Sequence, residues 1–282
     1  MNKPKALPKS KIIVHCLVKN EERFIWYALQ SVLPYVDHIM VWDTGSTDNT
    51  LDIIRSIKSS KISLKTFKSV SATTHTKLRQ QMLQTTPKGK YDWLMILDGD
   101  EVWPEKSIKK VLKYLSSHQD VGALVVKTTN VVGDIYHALP ESAGQYVIAG
   151  RKGNFNIRFI NLKLPGLTIK HPHGRQTYTT KGIPLQQLSP SQLHFLDVAY
   201  IHTTHLVRSS LDQKTLKRSF KFKYELGNQL DPKDLPQVFF QDHPSLVPDV
   251  TTPMTYTFFL KALILTPIKR LRRALITPPS GY

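Results

Sequence analysis

The chain alternates short apolar runs with segments whose apolar residues recur at helical spacing. Four runs have the length of buried strands: 11–18, 38–43, 62–67 and 91–97. Helical patterns follow them, at about 20–32, 50–57, 73–83 and 105–115. Strands that alternate with helices are typical of a parallel sheet covered on both faces and joined by right-handed crossovers. The pattern therefore predicts an α/β fold.

The alternation weakens after residue 121. Further strands are predicted at 121–128, 156–160, 167–170 and 198–205, the last ending in two histidines, with an irregular, glycine-rich loop at 133–154. Beyond them we expect a helix ended by Gly227, a proline-rich linker over 230–253 and a basic amphipathic helix over 256–276. The predicted organisation is a basic tail (1–10), an α/β domain (11–208) and a C-terminal extension (209–282).

Composition narrows the class of protein. The 282 residues carry 39 Lys and Arg against 21 Asp and Glu, a net charge of +18, which predicts an anionic partner such as a phosphorylated substrate, acidic lipid or nucleic acid. The single cysteine, Cys16, cannot form an intrachain disulfide and is compatible with a reducing cytosol. Neither a signal peptide nor a membrane-spanning run of ~18 apolar residues is visible, so a cytoplasmic location is expected.

Two carboxylates stand at the end of the fourth apolar run. Asp98-Gly99-Asp100 follows it directly, and the glycine between the acids would allow a ligand to approach the backbone. Carboxylate oxygens are the ligands that hold Mg²⁺ or Mn²⁺ against a diphosphate. The alternative is an acidic turn that caps the next helix. Neither a G-x-G-x-x-G motif nor a P-loop follows any predicted strand, which removes the main support for those nucleotide sites.

Three motifs together carry a resemblance to a known family. They are VHCLVKNE at 14–21, VWDTGSTDNT at 41–50 and LDGDE at 97–101. In this order, each at a strand end, they resemble the successive signatures of family 2 glycosyltransferases with the GT-A fold. The resemblance implies an enzyme that moves a sugar from a nucleotide-diphosphate donor, here expected to be a UDP-sugar, with inversion at the anomeric carbon.

The resemblance also implies how the donor is held. Val18, Asn20 and Glu21 would contact the nucleoside together with Asp43, whose alternative role is to cap the Gly45 turn. Asp98 would lie near the ribose. Two basic residues of the third helix stand where relatives carry a donor-binding arginine; they contact phosphate or belong to a solvated helical face. These residues are Lys77 and Arg79.

A Mn²⁺ or Mg²⁺ site is implied in the same way. Its predicted ligands are Asp98, Asp100 and a histidine after the last strand, for which we favour His202 over His205. A metal there would neutralise the departing diphosphate. Zinc is a weaker alternative because the histidines lack a recognised zinc spacing.

The catalytic base is left open by the sequence. Relatives often place a carboxylate in the turn where this chain has Gln176, and an amide cannot accept the proton. Glu101, Glu141 and Asp134 are the alternatives, and the predicted catalytic set is Asp100, Glu101 and Glu141. The missing carboxylate keeps a second interpretation open, an inactive GT-A module that only binds sugar nucleotides.

The sequence pattern of the C-terminal helix, 256–276, predicts an anionic membrane surface as a partner. Apolar residues at helical spacing beside Lys and Arg are typical of helices that lie on anionic membranes, although such a stripe can also pack on the protein's own core. We therefore expect a glycan or lipid-linked acceptor at a cytoplasmic membrane face. A basic nucleic-acid-binding protein is the remaining alternative; it explains the charge but not the strand-end acids, so no nucleic acid is expected.

Overall fold

The computed structural model describes residues 10–68, 70–144, 146–171, 176–212 and 223–275. The predicted basic tail up to residue 9, His173 and most of the segment expected to form a helix before Gly227 lie outside these residues.

Strands and helices alternate in the first half of the chain, as predicted. Their order is β1 (Ile12–Val18), α1 (Ile25–Val32), β2 (His38–Asp43), α2 (Thr50–Ser56), β3 (Ile62–Thr66), α3 (Ala72–Thr85), β4 (Trp93–Leu97), β5 (Glu101–Val102) and α4 (Glu105–Ser117). The second half contains β6 (Ala123–Asn130), β7 (His137–Ala138), β8 (Tyr146–Ile148), β9 (Arg151–Gly153), β10 (Phe155–Asn161), β11 (Thr168–Lys170), β12 (Thr177–Thr180), β13 (Ile183–Pro184), β14 (Leu193–His202), β15 (Asn228–Gln229) and α5 (Tyr256–Leu275).

Eight strands form one mixed, mostly parallel sheet in the order β3-β2-β1-β4-β10-β6-β14-β5. Strands β1 to β4 are parallel to their neighbours within this group, and β6 is parallel to β14. Strand β10 runs antiparallel between β4 and β6, and the short β5 closes the edge antiparallel to β14. The sheet and its flanking helices confirm the predicted α/β architecture.

Both faces of the sheet are covered. Alternate residues of β1 belong to two separate cores, Val14 to one and Ile13 to the other, because successive strand side chains point to opposite faces. The first core includes helices α1, α2 and α4, and the second includes Leu78 and Met82 of α3. Because both faces of such a strand are buried, polar residues do not alternate with apolar ones along it, and its sequence is a continuous apolar run.

A short strand that the sequence analysis does not predict lies directly beside the acidic motif. Glu101 and Val102 form β5, which pairs with the end of β14 so that His202 lies opposite Glu101. The helix begins at Glu105, after Pro104. This strand brings the acidic motif to the histidine at the end of β14.

The prediction of an extended linker over 230–253 is wrong. Phe239, Val247 and Val250 of this segment are buried, and the Phe239 ring lies 5.6 Å from that of Tyr27 in α1. The Tyr27 hydroxyl also donates to the Pro248 carbonyl (3.1 Å). The prolines prevent regular secondary structure, but the apolar residues between them still pack on the core.

Gly227 does not end a helix, since residues 223–227 have no helical structure. A Cβ atom on Gly227 would lie 2.8 Å from backbone atoms of Ala138. The glycine therefore permits the close approach through which β15 pairs with β7.

Helix α5 is present as predicted and continues through Pro267. Its buried positions are Ala262 and Thr266, and it also contacts the rest of the protein through the Phe258 ring, 5.2 Å from that of Tyr224, and through Arg273, which pairs with Glu225. Among the described residues, no helix is long and apolar enough to cross a membrane.

We predict that two neighbouring phenylalanines differ sharply in their contribution to stability. Phe239→Ala should lower the free energy of unfolding by roughly 3–5 kcal/mol, because a buried ring is replaced by a cavity. Phe240→Ala is the matched control, because that side chain is 51% exposed and Phe239 is 1% exposed. Urea denaturation measures both, and equal effects would contradict the packing of the proline-rich segment on the core.

Candidate active site

A cavity of about 1300 Å³ opens where the carboxyl ends of β1 and β4 meet the ends of β10 and β14. Ligands of open α/β sheets bind at this edge. Among the residues that the structure describes, the acids that line it are Glu21, Asp98, Asp100 and Asp212, and the arginines that line it are Arg79, Arg158 and Arg208.

Asp98 is held between two arginines. Arg79 Nη2 lies 2.8 Å from Asp98 Oδ1, and Arg158 Nη2 lies 3.4 Å from Oδ2. Burial disfavours ionisation, but the two guanidinium groups outweigh it and lower the pKa of Asp98 below its ordinary value. Both carboxylate oxygens therefore face arginines, and the role of Asp98 as a metal ligand stays a prediction.

Glu101 lies beneath the cavity. Its side chain is fully buried and paired with Arg158, whose Nε also donates to the Tyr200 hydroxyl (3.2 Å). Burial raises the pKa of Glu101 to about 7, although Arg158 opposes the shift. Glu101 does not line the cavity. Its position is that of a residue that fixes Arg158, and the predicted role as catalytic base is not supported.

Asp100 and His202 are brought together as predicted. His202 Nε2 lies 3.4 Å from Asp100 Oδ2, and the ring is oriented by a bond from Nδ1 to Asn130 Oδ1 (3.1 Å). Burial lowers the pKa of His202, but Asp100 outweighs this and raises it above its ordinary value. The same Asp100 oxygen lies 2.8 Å from Nη1 of Arg208.

These two side chains fit a divalent cation. Bonds of ~2.0–2.2 Å from Asp100 Oδ2 and His202 Nε2 can meet at one ion, because the two atoms are 3.4 Å apart. Across the residues that the structure describes, no group of three His, Cys, Asp or Glu side chains could hold a metal ion. Mg²⁺ commonly uses one or two protein ligands together with substrate phosphates. Two protein ligands are therefore sufficient if a diphosphate supplies further oxygens.

The loop after β1 reaches the cavity. Val18, Asn20 and Glu21 all line it. Asn20 adopts a positive φ of 54°, and its Oδ1 accepts from the Thr47 amide (2.9 Å). This bond joins the loop after β1 to the loop after β2. The loop for which nucleoside contacts are predicted therefore has a fixed conformation.

The glycine of the acidic motif serves a contact within the protein. A Cβ atom on Gly99 would lie 2.8 Å from Cγ of Glu21 and 3.2 Å from Cγ1 of Val18. Gly99 therefore lets the loop after β4 pack against the loop after β1. The sequence suggested that Gly99 allows a ligand to approach the backbone. In the structure, the side chains that approach Gly99 closely are those of Glu21 and Val18.

Asp43 caps its own turn, the alternative that the sequence left open. Its Oδ2 accepts from the amides of Gly45 (2.9 Å) and Ser46 (3.0 Å), and Gly45 has a φ of 94°. Asp43 is buried and does not line the cavity. Its contact with a nucleoside stays a prediction.

The two basic residues of α3 are separated by the helix. Arg79 is buried and lines the cavity, whereas Lys77 is exposed and does not. Residues two apart on a helix do not share a face. Of the two interpretations of Lys77, the structure therefore favours a residue on the solvent-exposed face of α3 and does not support the predicted phosphate contact.

The remaining candidates for the base lie outside the cavity lining. The Glu141 side chain is 87% exposed and lies 3.5 Å from Lys127. Asp134 is buried and accepts from the amides of Tyr136 and Met254 (both 2.9 Å), a structural role. Gln176 does line the cavity, where it donates to Thr76 (2.9 Å).

Sequence reasoning missed several charged residues of the cavity, among them Arg158, Arg208 and Asp212. A buried arginine inside an apolar strand, Arg158, is a signal that could have been followed. Arg208 and Asp212 follow β14 without any motif, and the Arg208 amide donates to Asp212 Oδ2 (2.7 Å). His205, the alternative to His202, also lines the cavity.

Comparison with known proteins identifies the family. Residues 14–175, more than half of the chain, match the model of glycosyl transferase family 2, so the chain belongs to this family. Its mixed sheet and flanking helices are the predicted GT-A fold. A search of the curated proteins gives no match.

Solved structures of low sequence identity resemble the chain. Residues 1–349 of S. aureus TarS are 16% identical with a TM-score of 0.47, over 69% of this chain and 60% of that one. The chain thus spans less than two thirds of that structure. Glucosyl-3-phosphoglycerate synthase from Mycobacterium tuberculosis, crystallised with phosphoglyceric acid, is 15% identical with a TM-score of 0.46, over 74% of this chain and 76% of that one. The same enzyme was also crystallised with Mn²⁺, UDP-glucose and phosphoglyceric acid.

We predict that the two basic residues of α3 differ in function. Arg79→Met should weaken UDP binding about tenfold, because a charged donor at the cavity is lost, and should cost up to about 3 kcal/mol of stability, because Asp98 loses a partner. Lys77→Met is the control and should change neither quantity. Calorimetry with UDP and urea denaturation measure both, and an equal loss of UDP binding in the two variants would place Lys77 at the ligand.

Proposed function

We propose that the protein transfers a sugar from a nucleotide-diphosphate donor, a UDP-sugar, to an acceptor hydroxyl, with inversion. The observation that carries the proposal is the pairing of Asp100 with His202 at the ends of β4 and β14, inside a cavity lined by Arg79, Arg158 and Arg208. Acids able to hold a divalent cation and guanidinium groups able to hold phosphate are what a departing diphosphate requires. Family membership supports the same reaction.

The reaction assigns a task to each part of the cavity. The acceptor oxygen forms a bond to the anomeric carbon while the bond from that carbon to the diphosphate breaks, and a base takes the hydroxyl proton. Asp100 and His202 would hold Mn²⁺ or Mg²⁺, which when bound neutralises charge on the leaving diphosphate. Arg79 and Arg158 face the same space with cationic donors, and Val18, Asn20 and Glu21 would border the nucleoside.

A second candidate function is an inactive module that binds sugar nucleotides. It is favoured by one observation: Gln176 presents an amide to the cavity, and the predicted bases Glu101 and Glu141 do not line it. Incubation of UDP-sugars with the protein and Mn²⁺ separates the two functions. Hydrolysis or transfer supports the enzyme, and tight UDP binding without turnover supports the module.

The outer side of α5 supports an anionic membrane surface as the place of the acceptor. Large apolar side chains of this helix are exposed rather than packed on the core; they are Tyr256, Phe259, Leu260, Leu263, Ile264, Ile268, Leu271 and Leu275. Lys and Arg side chains accompany them: Lys261, Lys269, Arg270 and Arg272. Arg273 of the same helix is instead paired with the buried Glu225. Such a helix can place its apolar side chains among lipid tails and its cations among anionic headgroups.

The position of α5 links this surface to the cavity. Lys223 lines the cavity, and the Tyr224 ring that follows it lies 5.2 Å from the ring of Phe258 in α5. Leu226 then donates its amide to Thr266 of the same helix (2.8 Å). A membrane held by α5 would therefore lie beside the cavity, which favours a lipid-linked glycan or another membrane-bound acceptor.

We predict that Asp100→Asn removes the metal-dependent part of donor binding and turnover. The amide keeps the shape of the side chain but loses the anionic oxygen, so UDP affinity should no longer rise with Mn²⁺. UDP-sugar turnover should fall at least ~100-fold, since a catalytic metal supplies several kcal/mol. Asp52→Asn, at an exposed carboxylate on α2, is the control. A folded Asp100→Asn protein with the original response to Mn²⁺ would rule out Asp100 as a ligand.

We predict that the exposed side of α5 binds anionic vesicles. Replacing Ile264, Ile268 and Leu271 with serine should reduce sedimentation with phosphatidylserine vesicles at least tenfold, because each apolar side chain contributes ~1.5–3 kcal/mol when fully buried. Salt should weaken binding of the unchanged protein only in part, since it screens the cations and spares the apolar contact. The control replaces the exposed Ile183, Phe240 and Leu246 instead. Equal losses in both variants would remove α5 as the membrane contact.

A further inference from the structure

Arg208 bridges two acids that belong to different loops of the cavity. Its Nη1 lies 2.5 Å from Glu21 Oε1 in the loop after β1 and 2.8 Å from Asp100 Oδ2 in the loop after β4. Both carboxylates are buried. A guanidinium group between two carboxylates is a resident cation at the point where the proposed metal would lie.

The guanidinium group and a divalent ion would use the same oxygen. Asp100 Oδ2 lies near both Arg208 Nη1 (2.8 Å) and His202 Nε2 (3.4 Å), and an ion ligated by Asp100 and His202 would need this oxygen. Two cations at one carboxylate oxygen repel each other strongly in a partly buried site. Binding of the ion therefore requires the Arg208 side chain to move.

The structure shows what can move and what cannot. The backbone of Arg208 is fixed, because its amide donates to Asp212 Oδ2 (2.7 Å) and its carbonyl accepts from the Arg23 amide (3.0 Å). Its Nε is buried and has no hydrogen-bond partner among the described residues. A long side chain on a fixed backbone, with a donor left to satisfy, can turn toward an anion in the cavity.

We propose that Arg208 occupies the cation position at Asp100 in the nucleotide-free protein and becomes a ligand of the donor diphosphate when a divalent ion displaces it. This inference rests on the proposed function. It makes metal and nucleotide binding cooperative, because the ion releases the guanidinium group that the diphosphate then receives. Arginine is suited to both positions, since its planar fork pairs with carboxylate and with phosphate.

The test compares Arg208→Gln with the unchanged protein in two separate measurements. Without nucleotide, Mn²⁺ affinity measured by electron paramagnetic resonance should rise roughly fivefold or more, the lower end of a typical coupling between two sites. With saturating Mn²⁺, UDP affinity measured by calorimetry should fall by a similar factor. Arg55→Gln on α2 removes an exposed arginine and should change neither affinity.

Arg208→Lys provides a second variant that keeps the charge. Lysine should hold Mn²⁺ affinity near that of the unchanged protein but lower UDP affinity, because an ammonium group cannot form the paired bonds of a guanidinium group. If a folded Arg208→Gln protein binds Mn²⁺ no more tightly, the inference is overturned. An unchanged protein that binds Mn²⁺ but no UDP would overturn the proposed function instead, while the manganese measurement still decides whether Arg208 competes with the ion.

Discussion

Compensation of charge at the carboxyl ends of β1 and β4 is the constraint on which the rest of the site depends. Glu21, Asp100 and Glu101 are buried there, and Asp98 is about one third exposed. A buried carboxylate without a partner costs several kcal/mol, so each of these acids requires a cation or hydrogen-bond donors. The arginines that meet them come from three places along the chain: Arg79 of α3, Arg158 of β10 and Arg208 after β14.

The order of strands in the sheet follows the same constraint. Strand β10 runs antiparallel between β4 and β6, and this position delivers Arg158 to both Asp98 and Glu101. Strand β14 pairs with β5 through His202 and Glu101, which places His202 at Asp100. Buried ion pairs add little net stability compared with apolar packing, but they are costly to break. Their contribution here is to fix the relative positions of the loops around one cavity.

Sequence patterns were sufficient where the relevant interactions are local. The periodicity of β1 to α4 reflects burial of neighbouring residues, so the predicted elements agree closely with the structure, and strand-end acids such as Asp100 could be located from their own run. Arg208 could not be found in this way, because its partners Glu21 and Asp100 lie far away along the chain. The prediction of Glu141 as a catalytic base was not supported for a related reason: the sequence of a loop does not indicate the direction in which an acidic side chain points. The prediction of a linker around Phe239 was wrong because a high proline content indicates an irregular backbone and does not indicate solvent exposure.

The apolar stripe on α5 is a case in which the sequence allows two interpretations and the structure distinguishes them. Leu263, Ile264 and Leu271 give the same periodicity whether they face a protein core or a membrane, so the sequence allowed both. The structure shows that Ala262 and Thr266 are the buried positions and that Phe258 packs on Tyr224, whereas the large apolar side chains of the stripe, such as Leu263, Ile264 and Leu271, remain exposed. A helix that packed through its stripe would bury the large side chains first, because they contribute most on leaving water. Their exposure next to lysines and arginines is therefore the argument for the proposed contact of α5 with an anionic membrane, and hence for a proposed membrane-bound acceptor.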